Sequence, residues 1–274
     1  MDDETTAEPG GGQASGARSR TVQKRNVAGL IRYHQAPYFL IDRPDARRLA
    51  IEISQTTRCD HLAVLAEADV RGRLCADKQR LLDNVALFAE HCREEGCLTG
   101  PRPFASEHAR FLFFQQPERH PDAPAYADFR AEVVLLSGLP GAGKDHHART
   151  HFADWEVISL DEVRAELDVD PADAQGEVID RARTLARERL RAGRSFVWNA
   201  TNLSRQLRGG LVRLFAGYGA RVRVVYLEVP EETLRSQNRN RAAVVPEQVL
   251  ARLLDRWEVP DQTEAHAVDY AVRS

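Results

Sequence analysis

Two spacings of apolar residues divide the chain. Up to about residue 92 they recur at helical intervals, and from residue 131 short apolar runs alternate with amphipathic segments. Val27, Leu30, Ile31 and His34 fall at i, i+3, i+4 and i+7, which predicts a helix face that Pro37 closes. A second helix is predicted over 45–56, with Leu49, Ile51 and Ile53 as apolar candidates. A third is predicted over 59–71, with Leu62, Leu65 and Ala66 inward, and a fourth over 77–92, with Leu81, Val85 and Phe88 inward. At about 70 residues this helical segment is small for an independent core.

Prolines at 101, 103, 117, 121 and 124 break any long element between 100 and 131. The apolar patch 108–114 is expected to dock between the two halves. Beyond it, short strands are predicted over 133–136, 157–159, 195–198 and 222–227. Helices are predicted over 144–152, 177–194, 207–218, 231–240 and 246–256, with Ala182, Ala186 and Leu190 as the inner face of the longest. Such alternation implies a parallel sheet covered on both faces. The predicted organisation is a disordered tail over 1–25, a helical domain over 26–115, a linker over 116–131 and an α/β domain over 132–274.

Charge and cysteine usage narrow the function classes. The net charge of -3 excludes a generally basic nucleic-acid coat but leaves room for a local basic groove. No apolar run approaches the ~20 residues of a membrane helix. The first twenty residues hold no apolar segment after a basic start, so a cytoplasmic protein with reduced thiols is expected. The cysteines are Cys59, Cys75, Cys92 and Cys97. A zinc site is the lesser alternative for them, because Cys92 and Cys97 lack the tight C-x2-C spacing.

The run Val133–Leu136 opens into Gly138-Leu139-Pro140-Gly141-Ala142-Gly143-Lys144. A strand, a glycine turn of this spacing and a following helix form a phosphate-binding loop. Its backbone amides cradle phosphate oxygens and Lys144 reaches the β- and γ-phosphates of ATP. The next position normally carries a hydroxyl for Mg2+. Here it is Asp145, whose carboxylate is itself a hard-oxygen magnesium ligand. Asn199 ends the third predicted strand, where such folds often place an acid, so the magnesium-side carboxylate is expected to have moved to Asp145. Asp161 follows the second strand, at the edge of a parallel sheet where ligands bind. It is read as the base that takes a proton from an acceptor hydroxyl, or as a helix N-cap, or as both. Arg164, one turn on, suits a fixed phosphate. Arg235, Arg239 and Arg241 could close over the transferring group or lie on a solvated helix face. The arginine-rich helix 181–194 reads as a solvated, ion-paired face.

GLPGAGKD, SLDEVR, WNATN and QNRNR, in this order, resemble the P-loop 5'-hydroxyl polynucleotide kinases of end-healing systems, over roughly residues 131–274. The resemblance implies an AAA-type P-loop kinase fold, ATP and Mg2+ as cofactors, and RNA or DNA 5'-hydroxyl ends as partners. It implies Asp161 as the base, Arg164 as the acceptor-phosphate ligand, and Arg239 and Arg241 as lid arginines. The family's usual strand-end motif is D-A-T-N, where this chain has Asn199. GLIRYHQ and LAEADVRGR in the first half resemble the back portion of an HD phosphohydrolase domain, as in bacterial tRNA nucleotidyltransferases, and the combined order is similar to bacterial HD-kinase fusions. The front half of that domain, with its His-Asp pair, has no counterpart, which leaves His34 and Asp69 of its site. No phosphoesterase activity is expected, whether the domain has decayed or the chain starts late. Two other readings stand beside the polynucleotide kinase: a small-molecule P-loop kinase and an ATP-binding regulatory module.

Overall fold

The computed structural model describes residues 26–169, 175–240 and 244–273, so the expected tail over 1–25 lies outside the described residues. The chain divides into two compact units. One runs to Arg102 and includes the residues from Val272 on; the other runs from Pro103 to Ala271.

The first unit holds α1 (26–33), α2 (Ala46–Ser54), α3 (Cys59–Gly72) and α4 (Lys78–Glu94), with two 3-10 turns at Ala36–Tyr38 and Leu40–Asp42. It has a core of its own, in which Leu40, Ile53, Leu62, Val70, Val85 and Phe88 meet. The predicted inner face of α1 is corrected. Val27 and Ile31 are 54% and 68% exposed, and Gly29 is buried instead. A Cβ at Gly29 would come within 2.7 Å of Thr57 Cβ, so α1 approaches through its smallest residue. Apolar periodicity cannot register a glycine contact. Leu65 is likewise outside, 40% exposed, while Leu62 and Ala66 are buried as predicted.

The second unit begins with α5 (Glu107–Gln115), which the sequence places in the helical domain. The boundary falls at Arg102 and Pro103 instead because Phe111 of α5 joins the sheet's own core. Then follow β1 (Ala131–Ser137), α6 (Lys144–His151), β2 (Glu156–Ser159), α7 (Leu160–Glu166), α8 (Gln175–Arg191), β3 (Phe196–Asn199), α9 (Arg205–Gly217), β4 (Ala220–Glu228), α10 (Glu231–Arg239), α11 (Glu247–Leu254) and β5 (Ala267–Val272). The strand order is β2-β3-β1-β4-β5. β1 lies parallel to both β3 and β4, and β2 lies parallel to β3. β5 closes one edge and was not predicted, because its alternating residues follow no apolar run.

Alternate residues of each strand feed two layers. Val133, Leu135, Phe196 and Trp198 pack with Ala182 and Ala186 of α8 and Val212 and Phe215 of α9. Val134, Leu136 and Val197 pack on the other side with Ala148 of α6, Leu234 of α10 and Leu250 of α11. This is the predicted α/β architecture: a phosphate-loop sheet with helices on both faces, preceded in the chain by a helical segment. No described helix is long and apolar enough to cross a membrane.

Candidate active site

Three neighbouring strand ends build the site. The register pairs Ile158 and Ser159 of β2 with Trp198 and Asn199 of β3, and Leu135 of β1 with Trp198. Asp161, Asn199 and the loop from Gly138 therefore leave the same edge of the sheet in a row.

The loop is shaped by what its glycines allow. Gly141 and Gly143 have φ of +85° and +88°, which favour glycine. A Cβ on Gly141 would stand 2.8 Å from the Leu234 carbonyl oxygen, so α10 lies directly against the loop. Lys144 begins α6 and its Nζ donates to the carbonyls of Gly138 and Leu139, 3.0 Å each. The first amides of α6 have no intrahelical acceptor and, with the helix dipole, favour an anion at this end.

The loop is fastened to the segment after β3. Gly138 N donates to Thr201 O at 2.9 Å, Ser137 Oγ to Asn202 O at 2.9 Å, and Asn202 Nδ2 to Leu136 O at 2.7 Å. Asn202 has φ of +47°, a left-handed conformation that Asn tolerates better than most residues. Beneath it lies Arg208, fully buried. Its guanidinium takes both oxygens of Glu264 at 2.7 and 2.9 Å and donates to the carbonyls of Asn202, Leu203 and Glu258. Arg205 adds a pair to Asp261 at 2.7 Å. Burial works to raise the Asp261 carboxyl, but the Arg205 charge and the Thr263 hydrogen bonds outweigh it and hold its pKa below the ordinary value. The sequence reading missed this support. The signal was an arginine on the apolar face of a helix that also carries Leu211, Val212 and Phe215.

Asp145, exposed on the first turn of α6, accepts from Asn199 Nδ2 at 2.6 Å. The two positions that depart from the usual loop pattern are thus in contact. Asn199 takes Oδ1, which leaves Oδ2 as the hard oxygen that suits a cation on this side of the loop.

Asp161 and Arg164 lie on the first turns of α7. The N-cap is Ser159, whose side chain accepts from Glu162 N, so the capping alternative for Asp161 does not apply. Arg164 Nη1 donates to Asp161 Oδ1 at 2.7 Å and Nη2 to Gln175 Oε1 at 2.9 Å. The Asp161 side chain is 69% exposed and that of Arg164 19%.

Of the three lid candidates, Arg235 is engaged with Glu231 and Glu247, which ties α10 to α11. Arg239 ends α10 and is exposed, and Arg241 lies outside the described residues. The arginine-rich helix is ion-paired, with Arg189 on Glu156 and Arg181 on Glu166. A cavity of about 310 Å³ beside β2 is lined by Glu156, Glu162, Glu166 and Arg189 among others and holds no loop residue. In the first unit, Asp69 accepts from Tyr38 Oη at 2.7 Å and pairs with Arg73, while His34 Nδ1 meets Ile31 O at 2.8 Å.

Residues 133–260 match the family model of an AAA domain. Among solved structures, a sugar kinase from Janibacter sp. is similar, at 21% identity and a TM-score of 0.40, over 52% of this chain and 85% of that one. A gluconokinase from Sinorhizobium meliloti is similar at 18% identity and a TM-score of 0.37, over 53% and 84%. An APS kinase from Mycobacterium tuberculosis is similar at 18% identity and a TM-score of 0.38, over 54% and 92%. No curated protein matches the chain.

Proposed function

We propose that the second unit transfers the γ-phosphate of ATP to the 5'-hydroxyl of an RNA or DNA end. The observation that carries this reading is the Asp161–Arg164 pair, 2.7 Å apart and two strands from the phosphate loop on the same sheet edge. A carboxylate so placed can take the hydroxyl proton while the hydroxyl oxygen attacks phosphorus and the bond to the β-phosphate oxygen breaks. Arg164 holds Asp161 in the absence of acceptor. When a phosphate of the acceptor strand arrives, the guanidinium turns to it and frees the carboxylate. The exposure of Asp161 favours an acceptor that approaches as a chain end over one enclosed in a pocket. Lys144 and the amides of α6 offset charge on the transferring group. Arg239 and Arg241 serve on the lid. Mg2+, when bound, would supply positive charge against the phosphate oxygens, and Asp145 would help hold it. On the same reading the helical unit is HD-like. With Asp69 held by Tyr38 and Arg73, it hydrolyses no phosphoester.

Labelled γ-phosphate from ATP should appear on a 5'-hydroxyl oligonucleotide with the wild-type chain and not with Asp161→Ala. Transfer to sugars or other small alcohols with none to any oligonucleotide would replace the acceptor. ATP binding without transfer to anything would leave a regulatory module. Metal-dependent hydrolysis of a model phosphodiester, unaffected by Asp161→Ala, would overturn the inactive helical unit.

A further inference from the structure

Cys59, Cys92 and Cys97, set far apart in sequence or at unremarkable spacing, converge in the core of the first unit. All three are fully buried and their sulfurs lie within 4.8 Å of one another. Cys59 is the first residue of α3, Cys92 sits in the last turns of α4, and Cys97 follows the turn at Gly96. Two backbone hydrogen bonds fix the triangle. Cys97 N donates to Cys92 O at 2.8 Å, and Asp60 N donates to Leu98 O at 2.9 Å, which draws the strand of chain after α4 onto the start of α3. Each sulfur has the other two as hydrogen-bond partners, and Cys59 Sγ also lies 4.0 Å from Ala50 O. Buried thiols can serve as small apolar side chains. Three of them meeting sulfur to sulfur also make a metal-ligating set.

We infer that the three thiolates of Cys59, Cys92 and Cys97 hold one structural zinc ion, whose fourth position is left to a donor outside this group. A tetrahedral site with Zn–S of about 2.3 Å needs sulfurs about 3.8 Å apart, so the triangle closes by side-chain adjustment alone. The spacing suits a single ion and no larger cluster. Binding exchanges three S–H protons for the metal: one Zn2+ enters, three protons leave, and no oxidant is involved. The site would bind α3, α4 and the following turn together in a unit whose core is small.

The full chain, purified without chelators, should carry one zinc per chain by elemental mass spectrometry. A mercurial that attacks thiolates should release it stoichiometrically. Cobalt in its place should give thiolate-to-metal charge-transfer bands of a tetrahedral site. Cys97→Ser and Cys59→Ser should each lower zinc affinity by ~100-fold or more. Since cysteine variants can misfold, the mercurial and cobalt measurements on wild-type chain decide independently. A disulfide among the three, metal-free chain that takes up no zinc when reduced, or zinc that persists in Cys59→Ser and Cys97→Ser would each overturn the site.

Discussion

Asn199 Nδ2 donates to Asp145 Oδ1 at 2.6 Å, so the two departures from the usual phosphate-loop pattern meet in one hydrogen bond. The common arrangement puts a hydroxyl on the loop and a carboxylate on the neighbouring strand end. Here the carboxylate is on the loop and the donor is on the strand. Each version keeps one donor and one carboxylate across the same gap. The exchange is therefore a compensated pair rather than two separate losses.

Asp145→Ala should raise the Mg2+ concentration for half-maximal transfer by ~10–100-fold while changing metal-free ATP binding far less. Asn199→Asp sets two carboxylates against each other and should also weaken transfer. The double change Asp145→Thr with Asn199→Asp restores one donor and one carboxylate and should recover much of that loss. Mg2+ titrations of the four chains check this, and a Mg2+ response untouched by Asp145→Ala refutes it.

The glycines of the loop separate two costs. Gly143 has a positive φ but open space where a Cβ would go, so Gly143→Ala should cost about 1–2 kcal/mol from backbone conformation alone. Gly141 has a similar φ and the Leu234 carbonyl oxygen only 2.8 Å from the added Cβ. Gly141→Ala should therefore destabilise further and push α10 off the loop. Urea unfolding measures the first effect, and ATP affinity the second. Equal costs for the two variants would mean that α10 yields freely.

Much of the second unit was legible because its signals are local. The run at Val133–Leu136, the spacing from Gly138 to Lys144, and Ala182, Ala186 and Leu190 each declare an element within a dozen residues. What was missed depends on partners distant in sequence. Arg208 and Glu264 are 56 residues apart, and a charge on an apolar helix face has no meaning until its partner is known. Gly29 is silent in any apolar count yet fixes how α1 packs. Cys59 joins Cys92 and Cys97 through a backbone bond that spacing rules do not contain. Asp161 and Arg164 were legible as neighbours on one helix turn. Their mutual pairing was not, because either could have faced elsewhere.

The Arg208–Glu264 pair carries a testable asymmetry. Both side chains are buried, at 0% and 3% exposure, and Arg208 also closes three carbonyls next to the loop support. Arg208→Met alone strands the Glu264 charge and should cost about 3–5 kcal/mol. Arg208→Met with Glu264→Leu removes both charges and should cost less than the single change. Urea unfolding of the full chain reads both. A double variant as unstable as the sum of two singles would show that the carbonyl contacts, not the charge pair, carry the effect.

Acid should loosen the second unit through His266. Its ring is stacked on Phe111 at 3.9 Å between centroids, with His108 and Phe129 around it, and its Nδ1 accepts from Val222 N at 3.1 Å. Burial first, then the charges of His108 and Arg221, push its pKa down from 6.5 to about 3. Arg110 adds to the lowering. Folded chain therefore binds the proton less readily than unfolded chain between these values. The contribution to stability is whole above about pH 6.5 and is lost as pH falls toward 3, by up to about 1.4 kcal/mol per pH unit for this one proton. His266→Asn offers an acceptor to Val222 without titrating, so its unfolding free energy should fall less steeply between pH 7 and pH 5, above the main carboxylate range. Matching slopes for wild type and His266→Asn in that window would mean that His266 takes its proton without disturbing the fold.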